Sequence, residues 1–249
     1  MPKPPPARNT LIQTLREVCF SHPKIYAAWL EGADALERVD AYSDIDLWLD
    51  VEDGFEDDAI TSIKTSLQSL GTLELEHHAE HPHPKIRQVF FRLEETSKFL
   101  ILDLCVQSHS RAEPFLEGEP LKILFDKAEV LITRPLDDVQ FKEISRRVEV
   151  LKRNFSLRQV WVEKEVARGR FLEALHNYHV YTLEPLVELL RLRHAPRKYA
   201  FYLKDIAYDL PGIFVENLEY LYCVTSLRDI AEKQKNAANL FARTLEKLK

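Results

Sequence analysis

Residues 44–51 read Asp-Ile-Asp-Leu-Trp-Leu-Asp-Val, so that every second side chain is a branched aliphatic. In a β-strand successive side chains point to opposite faces. Ile45, Leu47, Leu49 and Val51 therefore line one face, and Asp44, Asp46, Trp48 and Asp50 line the other. Such a strand, Ile45 to Val51, belongs in a sheet with one packed face and one face that tolerates charge. Two carboxylates at i and i+2 repel each other unless a cation sits between them. A hard divalent cation such as Mg²⁺ takes oxygen ligands and keeps water and substrate phosphates in its shell. Asp44 and Asp46 thus read as a metal–phosphate pair, and the bland alternative is a solvated acidic strand face. Asp50 has the right parity but lies further along, and reads as solvated or at most a helper.

Two neighbouring segments support the metal reading. The run Phe99 to Val106 is apolar except for Asp103, and an acid in such a run must be ligated, paired or exposed on one sheet face. If that strand lies beside the Asp44–Asp46 strand, three carboxylates converge, enough to hold two metals about 3.5–4 Å apart for an in-line phosphoryl displacement. The competing reading pairs Asp103 with an arginine such as Arg87 or Arg92. Upstream, Ile25 to Leu30 is a short apolar strand ending at Glu31-Gly32. Gly32 lets the backbone approach a phosphate closely, with the amides of Ala33 and Asp34 as donors.

The rest of the chain divides into two textures. Residues 1–8, Met-Pro-Lys-Pro-Pro-Pro-Ala-Arg, form a flexible proline-rich arm. Residues 9–134 alternate helix and strand signals. A helix begins at Asn9 or Thr10, with Leu11, Leu15, Val18 and Cys19 on one face, and stops near Pro23. A second spans Asp57 to Leu70 and closes at Gly71. Strands are predicted over Leu73–Glu80, Ile86–Leu93 and Phe99–Val106, with Leu121–Phe125 and Val130–Ile132 as a last small hairpin or edge. Residues 135–249 are helical throughout, over Val139–Ala167, Phe171–Leu192, Lys198–Tyr208, Ile213–Val224 and Leu227–Leu248. Pro196 and Pro211-Gly212 punctuate them.

Composition narrows the functional classes. The chain has 40 Asp and Glu against 34 Lys and Arg, a net charge of -6. That balance argues against electrostatic capture of nucleic acid and suits a cationic small molecule better. The 13 Phe, 9 Tyr and 3 Trp supply ample surface for real cores, which excludes disorder. Cys19, Cys105 and Cys223 are distant and odd in number, so no disulfide framework is expected. With no signal peptide and no apolar run of membrane length, the expected compartment is the cytoplasm.

Gly32-Ala33, ten intervening residues, Asp44-Ile45-Asp46 preceded by Ser43, and a later strand bearing Asp103 resemble the nucleotidyltransferase superfamily of polymerase-β type. With the helical second half, the chain looks most like aminoglycoside-adenylyltransferase members. The motif likeness covers Ile25 to Val106, and the helical half matches in architecture. The resemblance implies an α+β fold: a nucleotidyltransferase-type mixed sheet with flanking helices, followed by an all-α bundle that binds substrate. It assigns Asp44, Asp46 and Asp103 as metal ligands for two Mg²⁺ ions, with Gly32, Ala33 and Ser43 toward the nucleotide. The implied reaction moves a nucleoside monophosphate, AMP from ATP or another NTP, to a hydroxyl of a small, cationic acceptor, releasing pyrophosphate. The family usually has Gly-Ser where this chain has Gly32-Ala33, and losing that hydroxyl costs about 0.5–1.5 kcal/mol of phosphate binding. Ala33 therefore keeps an alternative open: a nucleotide-binding or interaction protein of this fold that has lost turnover.

Other clusters carry weaker signals. His77, His78, His81 and His83 invite a zinc reading, but a polar hairpin rim explains them more simply; His109 is ambiguous. Arg191, Arg193, His194, Arg197, Lys198 and Lys204 form a basic concentration. Lys198 and Lys204 are the better candidates for a triphosphate clamp, and a solvated helix end is the alternative. Glu163, Glu173, Glu184 and Glu188 are candidates for recognising a cationic acceptor. Tyr178, Tyr181, Tyr199 and Tyr202 read as helix packing.

Overall fold

A computed structural model describes residues 6–135 and 138–248. Most of the proline-rich arm lies outside the described residues, but Arg8 does not: it opens the first helix, α1 (Arg8–Ser21). Strand β1 (Ile25–Leu30) leads into a one-turn helix, α2 (Gly32–Ala35), and then β2 (Ile45–Val51). Helix α3 (Glu56–Leu70) follows, and after it β3 (Leu73–Ala79), β4 (Ile86–Leu93) and β5 (Leu102–Ser108). Shorter strands complete this part: β6 (Phe115–Leu116), β7 (Lys122–Asp126) and β8 (Thr133–Arg134). The chain divides into two compact units after residue 136.

The first unit is built on a six-stranded sheet in the order β3-β4-β5-β2-β1-β7. The central pair, β2 and β5, is parallel, and the other pairs are antiparallel. β6 and β8 form a separate parallel pair. The aliphatic face of β2 is wholly buried, as the alternation requires. Ile45, Leu47, Leu49 and Val51 pack with Leu104 and Val106 of β5 against Leu11, Leu15 and Cys19 of α1 and Ile60, Ile63 and Leu67 of α3. The two helices thus take one face of the sheet and leave the Asp46–Trp48 face to other work.

Strand β5 starts three residues later than its apolar run suggests. Phe99 stays partly exposed, and a tight turn bonds Ile101 N–H to the Phe99 carbonyl at 2.9 Å before the ladder begins. The last small strands also shift, with β8 at Thr133–Arg134 rather than within 130–132.

The second unit is helical: α4 (Asp138–Ala167), α5 (Phe171–Tyr178), α6 (Glu184–His194), α7 (Ile206–Asp209), α8 (Gly212–Tyr222) and α9 (Leu227–Glu246). Phe155 of α4 stacks on Phe241 of α9 in a core with Val162, Tyr178, Leu186 and Leu190. The single helix expected over 171–192 is interrupted by a π-helical turn, His179–Leu183. Pro185 is the physical reason. It has no N–H to give the Tyr181 carbonyl one turn back, and its ring crowds that carbonyl. Gln159 Nε2 supplies the missing donor to Tyr181 O at 2.8 Å, and Thr182 Oγ1 donates to Gln159 Oε1 at 2.7 Å.

The helix expected over 198–208 is also replaced. Residues Pro196–Phe201 form a 3₁₀ segment, and Tyr202 then takes a φ of +50°. Arg191, fully buried, organises this stretch: its guanidinium donates to the carbonyls of Tyr202 and Lys204 and to Asp209 Oδ2 at 2.7 Å. Among the described residues no helix is long and apolar enough to cross a membrane.

Candidate active site

Parallel pairing of β2 with β5 sets Asp46 directly opposite Asp103. Residues that face each other across a ladder share a sheet face, so the two carboxylates stand side by side on the face away from α1 and α3. The neighbouring rows fit the same parity: Trp48 opposes Cys105, and Asp50 opposes Gln107. From β4, Gln88 approaches on the same face and donates through Nε2 to Asp103 at 2.8 Å (Oδ1) and 3.0 Å (Oδ2). The arginine partners considered for Asp103 are engaged elsewhere. Arg87 donates to the Pro84 carbonyl, and Arg92 bonds Glu74 and the Lys98 carbonyl.

Gly32 closes the site from the β1 side. Its φ is +57°, and a Cβ there would lie 2.0 Å from Asp46 Oδ2. Only a residue without a side chain lets the turn approach that carboxylate. Beside it, Glu31 N–H donates to the Asp46 carbonyl at 3.0 Å, and Trp29 Nε1 donates to Glu31 Oε1 at 2.9 Å. The thiol of Cys105 registers the local charge. Burial pushes its pKa up, and the negative charges of Asp103, Glu31 and Asp46 push it further. Both effects favour the thiol form of Cys105.

The remaining predicted residues are placed less uniformly. Asp44 precedes β2 and is exposed, so it does not share the strand geometry of Asp46. Ser43 is bound into a turn, its Oγ donating to Asp40 Oδ1 at 2.9 Å and accepting from Asp40 N–H at 2.9 Å. Ala33 and Asp34 lie in α2; Asp34 is buried and paired with Arg8. Lys198 and Lys204 belong to the second unit, where the Lys198 ammonium bonds Asp209 Oδ1 at 2.8 Å and the Lys204 carbonyl accepts from Arg191.

Asp50 departs from its expected role. It is fully buried rather than solvated, and it accepts from Gln107 Nε2 at 2.8 Å and pairs with His109 Nδ1 at 2.8 Å. Arg111 extends the network by donating to Gln107 Oε1 at 2.6 Å, and its guanidinium lies over the Trp48 ring. Trp48 stacks on Trp29 from the neighbouring strand at 5.9 Å between centroids. The short helical turn His109–Arg111 thus caps the far end of the face. Of the other histidines, His77 stacks on Phe90, and His81 and His83 accept backbone N–H bonds within the β3–β4 turn through their Nδ1 atoms.

No set of three or more His, Cys, Asp or Glu side chains among the described residues is arranged to hold a metal ion by itself. The residues present nevertheless fit Mg²⁺, which is commonly held by one or two carboxylates with substrate phosphates and water completing its shell. Asp46 and Asp103 supply paired hard oxygens, and Gly32, having no side chain, lets the turn lie directly against the Asp46 carboxylate.

No protein-family model matches the chain, and no curated protein matches it. Among solved structures, it is similar to an aminoglycoside 6-adenyltransferase from Bacillus subtilis, 15% identical, covering 97% of this chain and 89% of that one at a TM-score of 0.41. It is also similar to a STING-associated CdnE c-di-GMP synthase from Capnocytophaga granulosa, 12% identical, covering 94% and 78% at a TM-score of 0.30. Likenesses this distant assign no chemistry, and the site stands on its own residues.

Proposed function

We propose that this chain is a Mg²⁺-dependent nucleotidyltransferase that moves AMP from ATP, or the equivalent group from another NTP, to a hydroxyl of a small acceptor. The observation that carries this reading is the pairing of Asp46 with Asp103 across parallel strands, with Gly32 pressed against the Asp46 carboxylate. In this reading Asp46 and Asp103 would hold the cation, with Asp44 beside them at the mouth of β2 as a further carboxylate. Held by these carboxylates, Mg²⁺ would supply Lewis-acid chemistry, lowering the pKa of the acceptor hydroxyl and offsetting charge at the α-phosphate. Gln88 fixes the Asp103 carboxylate through both oxygens, so that its lone pairs are aimed before substrate arrives. Gly32 and Ala33 border the phosphates, and Ser43 braces the turn before Asp44. The acid excess of the chain suits a polycationic, aminoglycoside-like acceptor.

Two observations favour a second reading, a nucleotide-binding protein with weak or no turnover: Ala33 lacks the hydroxyl that the family's pattern supplies, and Asp44 is exposed outside the strand. One assay separates them. The protein is incubated with Mg²⁺, ATP and a panel of aminoglycosides, and pyrophosphate is followed. Transfer predicts pyrophosphate release that is lost in Asp46→Ala. Mg·ATP binding without release on any acceptor supports the second reading, and no binding of Mg·ATP or Mg·GTP contradicts both.

A further inference from the structure

Arg8 is the first residue of α1, at the end of the proline-rich arm, and no motif marks it. Its guanidinium reaches across to α2, where Nη1 donates to Asp34 Oδ1 at 3.0 Å and Nη2 to Asp34 Oδ2. Nη2 also donates to the carbonyl oxygen of Asp44 at 2.6 Å. The pair is sheltered: the Asp34 side chain is 2% exposed and that of Arg8 16%. One cation thus ties together the Gly32 turn and the residue that enters β2, the two backbone segments on either side of the Asp46 carboxylate.

These segments need such a tie. The ladder ends on the β1 side with the Glu31–Asp46 bond and on the β5 side with Ile45 N–H donating to the Ile101 carbonyl at 2.8 Å, so the Gly32 turn and Asp44 lie just outside the strands. Asp44 is exposed and contributes nothing to the core. Backbone with few buried apolar contacts opens at low free-energy cost. A guanidinium presents rigid, forked donors that hold a carboxylate through two bonds and still reach a carbonyl, whereas an ammonium acts as a point charge. Lys122 shows the contrast within the same site: its Nζ lies 3.5 Å from Asp34 Oδ1 on a half-exposed side chain. It adds charge at Asp34 through this one longer contact.

We propose that Arg8 is a positioning residue, which sets the Gly32 turn against the entry of β2 and thereby the affinity of the site for a metal–nucleotide. The inference rests on the nucleotidyl-transfer reading. A buried ion pair is a poor source of net stability compared with apolar packing, so a role in placing the backbone fits Arg8 better than a role in holding the fold.

The test is calorimetric titration of Mg·ATP into the full chain, comparing wild type with Arg8→Lys, Arg8→Ala and Lys122→Ala, with each thermal midpoint recorded. Arg8→Lys keeps the charge and the fold but loses the fork, and is expected to bind about tenfold or more weakly, as misplacement of a binding group by about 1 Å would produce. Arg8→Ala is expected to weaken further and to recover part of the loss in millimolar guanidinium, which can occupy the vacated position. Lys122→Ala should stay within about threefold of wild type, since it removes charge and leaves the fork. Unchanged affinity in a folded Arg8→Lys overturns the positioning role. So does an equal loss in Lys122→Ala, which would make charge alone the cause, or an absence of guanidinium rescue, which would make the loss one of packing. Failure of the wild type to bind Mg·ATP overturns the underlying reading, and this inference with it.

Discussion

At Gly32 the φ of +57° and the nearness of Asp46 act together, because a methyl group there would meet a carboxylate oxygen at 2.0 Å. Gly32→Ala must accept a left-handed backbone and push the Asp46 side chain aside. The strain is about 1–3 kcal/mol, readable as a lower urea midpoint, and the displaced carboxylate should weaken Mg·ATP binding by about tenfold or more. An alanine variant that binds Mg·ATP as tightly as wild type would place the nucleotide away from this turn. Asp46 and Asp103 were legible in the sequence because each is a charge in an otherwise aliphatic alternation. Gln88, Glu31 and Arg8 were not: nothing in a single strand reveals which neighbour it will face, and Arg8 meets Asp34 only after α1 has folded over the sheet. Asp50 shares its parity with Asp46, and alternation cannot tell which of two same-face carboxylates will be covered. The turn His109–Arg111 covers this one, and Gln107 and His109 satisfy it.

Most elements of the first unit follow from periodicity, and β1, β2 and β4 begin and end where their apolar patterns do. The exceptions in the second unit have chemical causes. Pro185 opens the π turn, and Arg191 holds the chain out of a helix over residues 202–205 by binding the Tyr202 and Lys204 carbonyls, which a helix would use itself. Asp209 anchors that segment, bonded by both Arg191 and Lys198. Burial pushes its carboxyl pKa up, but hydrogen bonds from Lys198 and Arg191, together with their charges, outweigh this and hold it below the usual carboxylate value. A folded-state pKa below the unfolded one means that ionised Asp209 stabilises the protein above the ordinary aspartate pKa of about 4. That contribution disappears as pH falls through the depressed folded value. Asp209→Asn should therefore lower the urea midpoint of helical circular dichroism near pH 6 and differ much less from wild type near pH 2. A difference of equal size at both pH values would show that the carboxylate's charge is not what matters.

Across the whole chain, helix–strand alternation gives way to a succession of helices near Pro135, and the chain divides into two compact units after residue 136. What no local pattern carries is the order of strands. β5 reaches β2 only after the chain has run through α3 and the β3–β4 hairpin, and the parallel register that puts Asp103 opposite Asp46 is a property of that crossover. The sequence supports the convergence only through its resemblance to a known arrangement, whereas the folded chain displays it as a ladder pair. The central claim is that this pair holds a divalent cation, and Mn²⁺ can report on it directly by electron paramagnetic resonance in the presence of ATP. Bound Mn²⁺ that Mg²⁺ displaces in the wild type, and that is lost in both Asp46→Ala and Asp103→Asn, is the predicted result. Binding that survives both substitutions, or no bound Mn²⁺ in the wild type, would contradict it.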